Sequence, residues 1–578
     1  MKLIEALKVV QNPLPDNAES FQLFLACGCS PLHLQTFLSA HLLRHQQRRI
    51  VIQTGLYGDL LGNLARLAKM TVDAGAVILE WTDFDPRLGL RHLGGWGPEH
   101  LSDILETTRV QATQLQEAIE RASEHISLTL CLPTLPLPPI AFTPSRQASA
   151  FELQLREYVS VFAARVATMV NVRLVNSQRL DRLSPPGDRL DVQSELRFGF
   201  PYSITHASAI TELLADLIFP RLPKKGLITD LDDTLWRGVL GEVGVEGISW
   251  DLDHHSHVHS LYQQLLGALA SAGTLLAVAS KNDSTLVEEA FHREELTPLK
   301  ERLSPIEVHW GPKSTSIGRI LQKWNVGPDS VVFVDDSPME LAEVQTAYPE
   351  VECLLFPTED DQAVYDLLER LRDLFGKEVI SEEDTIRAES LRRTNSLYED
   401  AAACGVSLDH FLAQAEADLA VTFRKTPLDP RALDLINKTN QFNLNGKRFF
   451  DSTWRAHLSD PDTFLCMVAY KDKYGPLGKI AVLTGRTNGK TLCVDTWVMS
   501  CRAFARRIEH QCLALLFDKF HVEDISFDFQ ITPRNAPLQD FFGELLDVQQ
   551  QPKLRLSKEV FVQKCPPLFH QVKEVTHV

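Results

Sequence analysis

Asp230 and Asp232 stand two positions apart at the end of a short apolar run, Gly226-Leu-Ile-Thr229, and Thr234 follows them. Such a pair suits phosphoryl transfer. One aspartate can attack phosphorus to give an aspartyl-phosphate, while the second carboxyl group protonates the leaving oxygen and later activates water. Two acids this close repel each other unless a hard cation lies between them, and Mg²⁺ binds through one or two carboxylates together with substrate phosphate oxygens. Taken alone, Asp-x-Asp-x-Thr is equally well a turn after a strand.

The following hundred residues carry the parts that phosphoryl transfer still lacks. Leu275-Leu-Ala-Val-Ala-Ser-Lys281 ends in Ser280, a hydroxyl able to hold a phosphate oxygen, and Lys281 and Asn282 continue it. Trp310-Gly-Pro-Lys313 sets a cation beside turn residues, just before a helical pattern over Ser314 to Trp324. Val331-Val-Phe-Val-Asp-Asp-Ser-Pro338 is another apolar run, closed by Asp335 and Asp336. To converge, these groups need buried parallel strands that end at one edge of an open α/β sheet, where ligands bind.

In this order and spacing the four pieces resemble the haloacid dehalogenase (HAD) phosphohydrolase superfamily. The resemblance implies Asp230 as nucleophile and Asp232 as acid/base. It implies Thr234, Ser280, Lys281, Asn282 and Lys313 around the phosphate, and Asp230, Asp232, Asp335 and Asp336 around Mg²⁺. The interval from Thr234 to Ser280 has room for a loop, an amphipathic helix near His257 to Ser271 and a strand, but for no large lid. Either a macromolecular substrate meets an open site, or flanking parts of the chain cover it.

With 578 residues the chain is expected to form three or four domains. No apolar stretch reaches membrane-spanning length and the N-terminus is too short and mixed for a signal peptide, so a cytoplasmic protein is expected. A formal charge of −18 argues against general nucleic-acid binding. It also means that an acidic partner would need a local basic patch, for which Arg502, Arg506 and Arg507, or Lys447 and Arg448, are candidates. Cys27 and Cys29 are the closest-spaced of ten cysteines and stay open as a reactive pair.

Strand candidates at Phe21 to Ala26, Ile50 to Gln53, Ala76 to Trp81, Ile126 to Cys131 and Val172 to Val175 alternate with helical patterns, which predicts a doubly wound parallel sheet over residues 1–222. Gly28-Cys-Ser30 after the first strand and Ser203-Ile-Thr-His206 before the last helix resemble a decayed SGNH hydrolase, which would make Ser30 a vestigial nucleophile and His206 its base. Cys29 and Ser203 stand where that family has its aspartates, so the imidazole lacks its orienting acid.

A HAD-like domain is expected over 223–378 and a mixed α+β domain over 379–578. The latter opens with charged helices, Ser381 to Ala403 and Leu408 to Ala417. Its Asn-rich segment, Arg431 to Asn445, is either a capped helix with a turn-rich loop or a polar recognition surface. Strands at Phe464 to Tyr470, Lys479 to Thr484 and Thr491 to Val498, then a helix from Arg502 to Phe517, resemble the GNAT acyltransferase fold. Ala505 and Arg507 stand where that fold places pyrophosphate-cradling glycines, which speaks against ordinary acetyl-CoA binding.

Three longer motifs narrow the resemblance: Thr234-Leu-Trp-Arg-Gly-Val-Leu-Gly-Glu242, Ile436-Asn-Lys-Thr-Asn-Gln-Phe-Asn443 and Asp495-Thr-Trp-Val-Met-Ser-Cys-Arg502. Over nearly its full length the chain resembles FkbH-like proteins. The resemblance implies removal of phosphate from a phosphorylated three-carbon metabolite and loading of a glyceryl unit on the phosphopantetheine thiol of an acyl carrier protein in polyketide-like biosynthesis. It points to Asn437, Asn440, Asn443, Asp495, Trp497, Cys501 and Arg502 as a carrier or acyl-transfer site, with Cys501 equally a buried thiol. The alternatives are a stand-alone small-molecule phosphatase and an acyltransferase of surface-glycan or peptide tailoring.

Overall fold

In the computed structural model of the chain, residues 1–12, 18–46, 48–93, 95–140, 143–381, 384, 408–473, 475–504, 506–546 and 554–576 are described. The predicted helix from Ser381 to Ala403 lies almost wholly outside them, as does Ala505. The chain divides into two compact units, residues 1–221 with 450–455, and residues 222–449 with 456–578.

The first unit is built on five parallel strands: β1 (Ser20–Cys27), β2 (Arg49–Thr54), β3 (Ala74–Ile78), β4 (Ser127–Cys131) and β5 (Val172–Leu174), in the order β2-β1-β3-β4-β5. The apolar runs form these strands because both faces of a parallel sheet are covered, and β3 is buried throughout. The predicted strand from Ala76 to Trp81 is shorter than expected, since Glu80 and Asp83 form a capping box that starts a helical turn at Trp81. Phe450, assigned from sequence to the third domain, packs its ring on Phe21 and Phe219 of the first unit.

The second unit holds two sheets. The first is parallel: β6 (Gly226–Thr229), β7 (Leu275–Ser280), β8 (Leu303–Val308), β9 (Val331–Asp335) and β10 (Glu352–Leu355), ordered β10-β9-β6-β7-β8. The chain turns to opposite sides of β6, so a crevice opens between the carboxyl ends of β6 and β9. Asp230 and Asp335 flank that point.

The second sheet is mixed and comprises β11 (Asp418–Thr422), the two-residue β12 (Phe442–Asn443), β13 (Thr463–Asp472), β14 (Gly475–Asn488), β15 (Thr491–Met499), β16 (Asp524–Phe527), β17 (Leu554–Ser557) and β18 (Gln571–Glu574). β15 and β16 pair in parallel over Thr491–Val494 and Asp524–Phe527. Beyond that pairing, the backbone of Leu444 bonds to Trp497 on one side and Gln530 on the other. Two predicted helices shift. That from Leu408 ends at Ala413, and that predicted from Arg502 begins at Ile508, because Cys501–Ala503 forms a 3₁₀ turn and Arg507 takes the left-handed conformation (φ 58°).

Gly226 opens β6 with its α-carbon against the Trp324 ring, where a Cβ would come within 2.4 Å. Gly226→Ala is therefore expected to destabilise the second unit by about 1–3 kcal/mol through overpacking. Urea denaturation would show this, and an unchanged midpoint would contradict the packing.

Candidate active site

β6 carries Asp230 into the crevice while its backbone N–H still bonds to Val334 of β9 at 3.0 Å. The chain then folds back on itself. Asp233 adopts a left-handed conformation (φ 48°), its Oδ1 accepts the Gly238 N–H, and the Leu231 carbonyl accepts the N–H groups of Thr234, Leu235 and Trp236. This tight turn brings Asp232 back beside Asp230. Trp236 Nε1 donates to Asp232 Oδ1 at 3.0 Å, and Asn282 Nδ2 donates to Oδ2 at 2.9 Å. Burial, with Asp230 and Asp233 nearby, raises the Asp232 carboxyl above its usual range despite these bonds.

Lys313 begins the helix Lys313–Trp324 and is 2% exposed. Its Nζ lies 2.8 Å from Asp230 Oδ2 and 2.6 Å from Asp335 Oδ2, and it also pairs with Glu340. Desolvation works against a buried ammonium, but the Asp230 and Asp335 carboxylates outweigh it and hold Lys313 above its ordinary pKa. Asp335 shifts upward through burial and the charge of Asp230, with Lys313 opposing, while its Oδ1 accepts the Ser337 N–H. Asp336 is pushed up to about 6 by burial and by Asp230.

Glu340 was not expected from sequence. It sits on the helix Pro338–Ala347 and follows Asp336 by four residues, the one-turn spacing that could have flagged it. Asp230, Asp335 and Glu340 each offer a ligand atom within 4.8 Å of the others. Lys313 already neutralises part of this cluster. Asp230 Oδ1, however, is buried and has no hydrogen-bond partner, which suits a cation ligand. Asp230, Asp335 and Glu340 are thus the groups that could hold a divalent metal, and Asp336 lies next to Asp335 in the chain.

The remaining predicted groups of this domain divide. Ser280 ends β7 and is buried. Thr234 has a buried hydroxyl without a partner, and its carbonyl takes the His259 ring at 3.0 Å. Lys281 pairs with Glu340 at 3.0 Å and Glu343 at 3.9 Å, and Asn282 uses one of its two amide N–H donors on Asp232. Both therefore orient acids of the site. Between Thr234 and Ser280 the chain forms the short helix Leu240–Val243 and the helix His257–Ser271, so no separate lid domain is present there.

Side chains of the Asn-rich segment brace a loop. Asn437 exchanges two hydrogen bonds with the Phe449 backbone. Asn443 is buried and its Oδ1 accepts from Asn445 and Gly446, while Asn440 accepts from Arg448. Asp495 accepts the Thr484 hydroxyl at 2.6 Å, and Trp497 is fully buried against Phe442 and Phe541. Cys501 is half-buried, its carbonyl accepting from Asn325. Arg502 lies in the 3₁₀ turn. The proposed basic patch is also spent internally: Arg507 pairs with Asp409, Lys447 with Asp528, and buried Arg506 with Asp472.

Ser30 and His206 do not form a nucleophile–base pair. The His206 ring nitrogens engage Thr134 Oγ1 at 2.8 Å and Ser184 Oγ at 2.9 Å, leaving neither for Ser30. Ser203, where the orienting acid would stand, caps the helix Ile204–Ile218. Burial lowers His206 to about 3. Its folded-state pKa is thus depressed, so the unfolded chain takes up a proton first and stability falls as pH drops from about 6.5 towards 3. His206→Gln should gain about 2 kcal/mol relative to the parent between pH 6.5 and 5. Hydrogen exchange in the Ile204–Ile218 helix measures it; parallel pH profiles for the two proteins would contradict the burial of a neutral ring.

Among solved structures, the chain is similar to the crystal structure of the N-terminal part of the protein BF1531 from Bacteroides fragilis, containing a phosphatase domain complexed with Mg. The TM-score is 0.52 at 19% sequence identity, covering 66% of this chain and 100% of that one. That likeness establishes a shared fold. No family model and no curated protein matches the chain.

Proposed function

We propose that the second unit is a Mg²⁺-dependent phosphoryl-removing enzyme of the HAD type that acts on a phosphorylated small molecule. The observation that carries this is the contrast between two neighbouring carboxyl groups. Asp230 is held by Lys313 with one oxygen uncommitted, whereas Asp232 is shifted towards its protonated form. Such divergent environments separate nucleophile from acid. The Mg complex of the Bacteroides protein supports the choice of metal. Mg²⁺ held by Asp230, Asp335 and Asp336 would neutralise phosphate charge.

The chain's own residues supply the rest. The Asp230 carboxylate attacks phosphorus, the bond from phosphorus to the leaving oxygen breaks, and Asp232 passes its proton to that oxygen. Asp232 then accepts a proton from water as the water's oxygen attacks the aspartyl-phosphate, which returns Asp230 and releases inorganic phosphate. Trp236 and Asn282 keep Asp232 oriented through both steps, and Lys313 balances charge on Asp230.

We further propose that the substrate is a three-carbon acyl phosphate that also carries a phosphate ester: Asp230 removes the ester phosphate, while the thiol sulfur of an acyl carrier protein attacks the acyl carbon, the bond from that carbon to the acyl phosphate oxygen breaks, and inorganic phosphate leaves as the thiol gives up its proton. The motifs around Trp236, Asn443 and Trp497, which resemble those of FkbH-like proteins, support this finer reading. Incubating the protein with Mg²⁺, a glycolytic acyl phosphate and a phosphopantetheinylated carrier, followed by intact mass measurement of the carrier, tests it. A glyceryl mass gain is expected; free phosphate without any gain would overturn carrier loading and leave the phosphatase. Without a carrier, Asp230→Asn should abolish phosphate release, and Asp232→Asn should slow it by about 10²–10⁴-fold. Full activity in Asp230→Asn would remove that residue as nucleophile.

A further inference from the structure

The first unit contains a cavity of about 860 Å³ at the carboxyl ends of its strands, on the side where β1 and β3 diverge. Its size is that of a small-molecule site. Trp81, Leu88, Trp96, Pro136 and Leu137 supply apolar wall, and neither Ser30 nor His206 lines it. The cavity adjoins Ser30 through Cys29 and Gly199 but does not draw on the Ser30 or His206 side chains.

Its polar groups are unevenly signed. Asp59, Glu80, Asp83 and Glu195 line it, against Arg91 and His92. Glu80 is spent on structure, accepting from Thr134 and from the Tyr202 hydroxyl, and so fixes the Pro-rich segment as a wall. Asp59 caps the helix Leu60–Leu67 by accepting the Gly62 N–H. Arg91 is exposed; it donates to the Glu195 carbonyl and lies over the Tyr57 ring. Asp83 differs from the other acids. Its Oδ2 accepts the Glu80 N–H at 2.8 Å, and its Oδ1 sits over Gly28 so closely that a Cβ there would come within 1.9 Å. Glycine at position 28 is what lets this carboxyl group face the cavity beside Cys29.

The geometry points to this cavity as a binding site for an amphiphilic amine, its apolar body against Trp81, Leu88 and Leu137 and its ammonium paired with Asp83. Burial lifts Asp83 to about 7, which an ammonium partner reverses and an anionic head group aggravates. Charge complementarity therefore selects a cation over an anion of the same shape.

Titrating the full-length protein with n-octylamine, n-octanoate and n-octanol separates the head-group effect from the apolar one, read by calorimetry and by the fluorescence of Trp81 and Trp96. Octylammonium should bind about tenfold more tightly than octanoate, the equivalent of ~1.4 kcal/mol. Asp83→Asn should bring amine and alcohol within about twofold of each other, while Thr82→Trp, at an exposed lining position, should weaken all three. Octanoate binding as tightly as the amine, no saturable binding of any probe, or amine affinity unmoved by both substitutions would overturn the assignment. Should Asp83→Asn fail to fold, the probe ranking and Thr82→Trp decide the matter.

Discussion

A fully desolvated lysine among three acids is the constraint around which the second unit is arranged. Removing an ammonium from water costs several kcal/mol, and Lys313 survives burial because Asp230, Asp335 and Glu340 surround it. The same contacts fix the acids. Asp230 comes from β6, Asp335 from β9, Lys313 from the first turn of a helix and Glu340 from another. Four elements meet at one cation, so any shift in register or helix position leaves a charge buried and unpaired. Chemistry and fold specificity thus draw on one interaction.

The surroundings extend this logic outward. Lys281 pairs with Glu340 and Glu343, and Glu343 accepts from Ser314 beside Lys313, so the acids of one helix hold the start of another. On the opposite side Trp236 and Asn282 hold Asp232. Asp230 retains one uncommitted oxygen within this network, and this is the geometry that a metal would complete.

Much of this was legible in the sequence because it is local. Apolar runs ending in Asp230, Ser280 and Asp335 announce buried parallel strands, and each strand end delivers its residue without further information. What was not legible is pairing across the fold. Nothing in the order Ser-Lys-Asn shows that Lys281 and Asn282 pair with Glu340 and Asp232, since that depends on which element lies opposite. Glu340 lay one helical turn beyond Asp336 and was passed over because a single glutamate on a helix is ordinarily a solvated charge. The Asn-rich segment stays open in sequence for a related reason: amide side chains that satisfy buried loop backbone look like those that would face a partner. His206 is held by Thr134 and Ser184, partners far from it in sequence that its spacing from Ser203 does not announce.

In the proposed reaction Asp230 takes the phosphoryl group. Rapid acid quenching of the protein during turnover, followed by mass spectrometry of its peptides, tests this most directly. One phosphoryl group is expected on the peptide carrying Asp230, accumulating further in Asp232→Asn because dephosphorylation by water loses its base. A phosphoryl group on another residue, or turnover with none on any peptide and inversion of configuration at phosphorus, would contradict it.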